Sequence, residues 1–359
     1  MALHTATAII DLAALSNNYR LIRSLSPKAK ILAVLKANGY GHGLELIAKA
    51  LPNADAFGVA RIDEALALRA AGIVKPIVLL EGFFAQEDIA ILAANNLQTI
   101  VHNEQQLTAI VNAKLDTPLK IWLKIDTGMH RLGINPEQLL QFYQALSQSK
   151  NVQQSIVLMS HLGCADEKNN SATAQQISLF DELTADFLLE KSLANSAGVL
   201  LWPQSHHQWI RPGLLLYGVS PLSADIPVEG IAPVMTLQSS LIAIREIAAG
   251  EAVGYSGAWV SESKTTIGVV AIGYGDGYPR HAVNGTPILI NGRRVPLIGR
   301  VSMDMISVDL GAQSKDKVGD IATLWGKGLA VEEVANYATT IAYELLCNIT
   351  RRVHIQLAK

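Results

Sequence analysis

Over roughly its first 220 residues the chain alternates short apolar runs with longer stretches of helical periodicity, and this alternation limits the fold more than any other feature. Ranges 31–35, 57–60, 77–80, 98–101, 121–125, 156–159, 192–194 and 214–217 have the length and side chains of buried strands. Helix patterns at 62–71, 87–94, 105–113, 136–146 and 174–189 lie between them, one opened by Pro136 behind Asn135, an arrangement suited to a first helical turn. A helix between two strands returns the second strand parallel to the first. Eight such units in about 200 residues fit a (β/α)8 barrel, of the TIM type, better than an open doubly wound sheet.

The stretch 220–233 holds Pro221, Pro227 and Pro233 without a periodic pattern and predicts a linker. Beyond it β-branched residues gather at 234–247, 265–272, 287–290, 301–310 and 321–325, followed by one helix pattern at 331–346. The expected division is therefore a barrel over 1–230 and a mainly β domain over 231–359. With 50% of residues hydrophobic and 17% charged, the chain can fill two cores. Its 29 Lys and Arg against 31 Asp and Glu leave no basic excess for nucleic-acid phosphates or anionic lipid, so neither is an expected partner. The longest apolar runs, such as 268–273, fall far short of the ~20 residues of a membrane helix. Asp11 interrupts the apolar N-terminus and no basic region precedes it, which predicts mature protein rather than a signal peptide. Two cysteines, Cys164 and Cys347, argue against a disulfide framework and for a reducing cytoplasm.

Reactive groups in a barrel of this kind sit where strands give way to loops at the C-terminal face. Lys36 is at such a point, directly after the 31–35 run and before the turn-rich Ala37-Asn38-Gly39-Tyr40-Gly41-His42-Gly43. A partly desolvated lysine there is an amine nucleophile able to form a Schiff base; the plainer alternative is a solvated lysine leaving a strand.

The run from Ala33 to Gly43 resembles the cofactor-binding signature of alanine racemases. The similarity continues through Lys124-Ile125-Asp126-Thr127-Gly128-Met129-His130-Arg131, Ser160-His161-Leu162, Ala194-Asn195-Ser196-Ala197 and Arg211-Pro212-Gly213-Leu214. It resumes at Gly254-Tyr255-Ser256, Gly273-Tyr274-Gly275-Asp276-Gly277 and Gly299-Arg300-Val301-Ser302-Met303-Asp304, in family order over essentially the whole chain. The resemblance implies a homodimeric, pyridoxal 5′-phosphate-dependent enzyme that interconverts L- and D-alanine, either supplying D-alanine for peptidoglycan or using it in catabolism.

In that family pattern Lys36 carries the cofactor and is the base on one face of the substrate, and Tyr255, contributed by the other subunit, is the base on the opposite face. His161 and Arg211 form the network that stabilises the tyrosine's ionised form, and Arg211 faces the pyridine nitrogen. Because a guanidinium only donates, it keeps that nitrogen unprotonated, weakens the electron sink and favours return of the proton to Cα. Tyr40, Ser196 and the backbone N–H groups near Gly213 and Leu214 match the phosphate donors. Where the family has a further phosphate-side tyrosine, the stretch Cys347-Asn348-Ile349-Thr350-Arg351 offers Arg351, and that role is not carried over. Arg131 and the backbone N–H of Met303 match the groups that hold the substrate carboxylate. Lys124, seven residues before Arg131, matches a lysine that many family members carry as a carbamate.

Other residues with chemical side chains read as structural. His161, Cys164, His206 and His207 lack the spacing of a zinc site, so no metal is expected. Gly273, Gly275 and Gly277 have no helix pattern behind them and are not a nucleotide loop; Tyr274 and Arg300 are expected to line the approach to a partner's site. Rival readings are a broader-specificity racemase, an amino-acid decarboxylase and a non-catalytic pyridoxal-phosphate-binding protein. The last stops at a barrel, and a decarboxylase needs no second-face base, so Tyr255 and Arg211 argue against both.

Overall fold

The computed structural model describes residues 5–222 and 228–358. Strand β1 (Thr7–Ile10) comes first in the chain but stands outside the barrel. Eight parallel strands close the barrel: β2 (Lys30–Val34), β3 (Ala56–Val59), β4 (Ile77–Leu79), β5 (Gln98–Val101), β6 (Ile121–Lys124), β7 (Val157–Met159), β8 (Glu190–Ser192) and β9 (Trp209–Ile210). β2 through β6 are almost wholly buried, as expected of strands covered on one side by helices and on the other by the barrel's own filling.

Two strands differ from expectation. The apolar run 214–217, expected as the eighth strand, is a 3-10 turn, Leu214–Tyr217, capped by left-handed Gly218. Four consecutive buried apolar residues look the same in sequence as strand or as buried turn, and Pro212 with Gly213 breaks the extended chain before them. The eighth strand is the two-residue Trp209–Ile210, whose first residue pairs with Ser192 and with Lys30. β8 begins earlier than the expected 192–194 because Glu190 and Lys191 are in it. Glu190 is hidden from an apolar count by its role: it accepts from Trp209 Nε1 at 2.8 Å and from Lys30 Nζ at 2.5 Å.

The β-rich part is built around β10 (Met235–Ile247), a 13-residue strand with bulges at Leu237/Gln238 and Leu241/Ala243. A two-stranded ribbon, β11 (Ala252–Val253) and β12 (Trp259–Val260), leads to β13 (Thr265–Val270), β14 (Pro287–Ile290), β15 (Arg293–Ile298), β16 (Ile306–Asp309) and β17 (Ile321–Trp325). In the order β10-β13-β16-β15-β14-β17 these pair back onto β10, which the bulges allow to bend and serve both ends of the ring. β1 adds antiparallel to β10, and β18 (His354–Leu357) adds parallel to β1. Thr7–Ile10 therefore shares a sheet with residues beyond 230. The helix expected over 331–346 is two helices, Val331–Tyr337 and Ala342–Cys347, separated at Thr339, whose φ is +49°. That break turns the second helix toward the barrel mouth, where Tyr343 and Cys347 meet the site described next.

Candidate active site

β2 delivers Lys36 to the C-terminal rim of the barrel and then reverses hand. Ala37, Asn38, Gly39, Tyr40 and Gly41 all have positive φ, from +52° to +78°. Each left-handed residue other than glycine costs about 1–2 kcal/mol, so a run of this kind persists only where surrounding contacts hold it. Gly39 N–H donates to Leu35 O at 2.7 Å and Gly41 N–H to Ala37 O at 3.0 Å. Buried His42 packs beneath, its Nδ1 against Tyr40 O at 2.8 Å and Gly39 O at 3.1 Å. Two carbonyls there require Nδ1 to carry the proton, and burial pushes the ring down to about 4, so His42 is neutral.

The reversed turn drives the Tyr40 ring inward, against Tyr217 at 4.8 Å between centroids and Tyr343 at 6.0 Å. A Cβ on Gly213 would lie 2.4 Å from Tyr40 Oη, so only glycine allows this approach. Beside it, Ser196 Oγ accepts from Gly213 N–H at 2.9 Å and Leu215 N–H at 3.3 Å. A hydroxyl that accepts twice keeps its own proton to donate. The hydroxyls of Tyr40, Ser196 and Tyr343 thus border one cavity of about 730 Å³. Lys36, Lys124, Arg131, His161, Arg211, Gly213 and Leu214 border it too.

Arg211 is buried, and its guanidinium donates to Ser192 Oγ at 2.7 Å, Ser160 O at 2.7 Å and Leu193 O at 3.3 Å. Among the described residues it makes no ion pair with a carboxylate. Burial pulls it down to about 10, still high enough to leave it charged at neutral pH. Its remaining contact is His161 Nδ1 at 3.1 Å, and since a guanidinium cannot accept, Nδ1 must. Burial, then the charges of Arg211, Lys124, Arg131 and Lys36, hold His161 well below the usual imidazole range. A neutral imidazole fixed in this way presents Nε2–H outward. Gln176 steadies the same loop by donating to His161 O at 3.0 Å and accepting from Gly163 N–H at 2.9 Å.

Lys124 is 6% exposed at the end of β6, and burial followed by Arg211, Arg131 and Lys36 lowers its amine to about 8. Glu81, also on the cavity wall, acts in the opposite direction. Within one chain, Tyr255 and Met303 do not border the cavity; they stand 66% and 52% exposed on the β-rich part. Tyr274 and Arg300 are exposed on the same part. Arg351 is exposed in a turn and does not reach the cavity. A tyrosine does border the cavity from this region, Tyr343, eight residues before Arg351; its position on the short helix that returns to the barrel gives no periodic signal in sequence. His206 and His207 lie elsewhere, against Ser26 Oγ at 2.7 Å and Asp181 at 3.3 Å. Gly273 lets two loops touch, since a Cβ there would meet Ser302 O at 2.3 Å.

Two family profiles match in tandem, the alanine racemase N-terminal domain over residues 10–221 and the alanine racemase C-terminal domain over 234–357. The chain belongs to the alanine racemase family. It is 57% identical to an alanine racemase of Vibrio parahaemolyticus over 355 residues, covering 99% of each chain. An Escherichia coli relative named "Alanine racemase, biosynthetic" is 55% identical over 356 residues, with 98% of each covered. Among solved structures, the biosynthetic alanine racemase from Pseudomonas aeruginosa superposes with a TM-score of 0.96 at 43% identity, over 99% of this chain and 100% of that one. The Bartonella henselae alanine racemase with covalently bound pyridoxal phosphate gives 0.90 at 29% identity, over 99% of both. The alanine racemase fold, a (β/α)8 barrel followed by a mainly β domain, is thus the fold of this chain.

Proposed function

We propose that this chain interconverts L- and D-alanine with pyridoxal phosphate held on Lys36, at sites shared between the two subunits of a homodimer. The observation that carries the proposal is the meeting, in one cavity, of Lys36 with a buried arginine that faces a histidine and makes no ion pair among the described residues. The cavity fits the cofactor: an amine stands at the rim, three hydroxyls border it, and a cradle at Gly213 has no room for a side chain. When bound, pyridoxal phosphate would supply an electron sink conjugated to the substrate Cα.

The chain's own groups would manage the protons and the orientation. Arg211 would donate to the pyridine nitrogen and keep a proton off it, while Ser196, Tyr40 and Tyr343 hold the phosphate. Lys36 Nζ would take or return the Cα proton on one face. On the other face that task falls to Tyr255 of the partner subunit, whose hydroxyl would be met by the outward Nε2–H of His161. The exposure of Tyr255 and Met303 in a single chain supports their service to a neighbour. Arg131 would pair with the substrate carboxylate. With its amine lowered to about 8, Lys124 is about one-quarter neutral at a pH near 7.5, and the neutral amine is the form that adds carbon dioxide. The addition forms an N–C bond, releases the amine proton and leaves an anion to orient Arg131.

The unpaired, half-buried Cys164 and Cys347 support a cytoplasmic setting, and the relatives named biosynthetic support supply of D-alanine as the direction served. No helix among the described residues is long and apolar enough to cross a membrane. The decisive experiment incubates the purified protein with single-enantiomer amino acids and follows optical rotation, then reduces it with borohydride and maps the labelled peptide. Rotation should decay to zero with alanine and the label should sit on Lys36; decay with other amino acids only, or label elsewhere, overturns the proposal.

A further inference from the structure

Within the left-handed run after Lys36, Asn38 is held by its side chain, whose Oδ1 accepts from Leu44 N–H at 2.9 Å, whereas exposed Ala37 has only a methyl group and needs an anchor from outside the turn. Ala37 N–H, the first amide of that run, donates to Glu64 Oε1 at 2.6 Å. The other oxygen, Oε2, accepts from Ala60 N–H at 2.9 Å and Arg61 N–H at 3.2 Å. One carboxylate therefore ties the turn that follows β2 to the turn that follows β3. We propose that Glu64 is a positioning residue for Lys36, fixing where the lysine's amine stands by pinning the amide next to it.

The inference rests on the assignment of Lys36 as the cofactor-bearing base, and deepens it. Its chemical core is that both Glu64 oxygens accept. Glutamine has the same size but a single accepting oxygen, and its amide nitrogen would have to face either Ala37 N–H or the pair Ala60 and Arg61, donor against donor. Aspartate, one methylene shorter, cannot span the two turns. With the anchor lost, Ala37 is free to relax toward the right-handed region that a non-glycine residue prefers, and the backbone on which Lys36 is mounted moves with it. Glu64 also lies in the first turn of the helix Ile62–Ala70, where its bond to Arg61 N–H caps the helix. A capping role alone would lower thermal stability without touching Lys36, which separates the two ideas.

The test compares the wild-type holoprotein with Glu64→Gln. Borohydride reduction and peptide mapping of the wild type first establish whether the cofactor is on Lys36; a label elsewhere defeats the Lys36 assignment itself. Given that label, hydrogen exchange of segment 36–43 should be about tenfold or more faster in Glu64→Gln. Its kcat for alanine should fall about ten- to a hundredfold with KM within about twofold, since a misplaced amine slows proton transfer while Arg131 still holds the carboxylate. Unchanged exchange at 36–43, or a lowered Tm with unchanged kcat, overturns the proposal. Should Glu64→Gln not fold, exchange in the wild type decides: protection of the Ala37 amide matching that of β2 supports the anchor, and exchange at the free-peptide rate overturns it.

Discussion

Gly213→Ala is the sharpest probe of the cofactor cradle. The new methyl would stand 2.4 Å from Tyr40 Oη and 3.1 Å from Tyr40 Cζ. Ordinary contact at this kind of pair begins near 3.4 Å, so the ring has to retreat by about 1 Å. It has little room to do so, being buried against Tyr217 and Tyr343 and mounted on a backbone already in the left-handed region. Overpacking of this size costs about 1–3 kcal/mol, and because Tyr40 borders the cavity much of that cost should appear as weakened pyridoxal phosphate binding, about 5- to 150-fold in Kd. The assay is titration of the cofactor-free protein by absorbance, repeated in a Tyr40→Phe background. Removing Oη deletes the 2.4 Å contact and leaves the 3.1 Å one, so Gly213→Ala should cost at least threefold less there. Wild-type affinity in the single variant, or the same cost in both backgrounds, would refute the cradle as described.

Other outcomes follow from the same geometry. Mixed Lys36→Ala and Tyr255→Phe homodimers, each nearly inactive alone, should recover about a quarter of wild-type activity after subunit exchange, since half the dimers are mixed and half of their sites intact; no recovery, with exchange verified by mass spectrometry, rules out shared sites. Lys124→Ala should raise KM for alanine by loosening Arg131, and added acetate should partly reverse the rise; an unmoved KM rejects the orienting role. His42 has a folded-state pKa of about 4 against an ordinary value of 6.5, so the unfolded chain binds the extra proton first as pH falls. Stability from this group is full above about 6.5 and is lost down to 4, about 3 kcal/mol in all. Denaturant titrations of His42→Asn, which keeps a donor near Tyr40 O, should show a loss over that window smaller by about this amount, and an identical pH profile would exclude His42 as the acid-sensitive group.

The sequence made the barrel legible where strands are apolar and bounded by helices with clear periodicity, as at β4 through β7. It failed where polar residues serve the strand, as Glu190 does, or where two residues suffice because neighbours on both sides complete the pairing, as at Trp209–Ile210. Of the candidate site, Lys36 was readable from its place directly after a barrel strand, and the other candidate residues that border the cavity with it were legible through the resemblance to alanine racemases. Tyr343 was not, because what brings it to the cavity is a chain reversal at Thr339, a residue with no special liking for positive φ. Glu64 was equally silent, since an acidic residue in the first turn of a helix is ordinary and only its bond to Ala37 N–H marks it.

The pairing of β1 with β10 and β18 makes the two ends of the chain into a clasp. His354 N–H donates to Ala6 O at 3.0 Å and Ala358 N–H to Ile10 O at 2.9 Å, so a strand that precedes the barrel in sequence takes a neighbour about 350 residues further along the chain. The barrel strands need nothing from beyond residue 222 to close their ring, whereas the sheet built on β10 includes both Thr7–Ile10 and His354–Leu357. Trimming the first ten residues would therefore injure the far half of the molecule rather than the near one, leaving β10 with a bare edge and β18 with no partner. A permuted chain, joined from 358 back to 5 by a linker spanning one short strand and opened in an exposed barrel loop, keeps every one of these pairings and turns the clasp into a continuous parallel crossover.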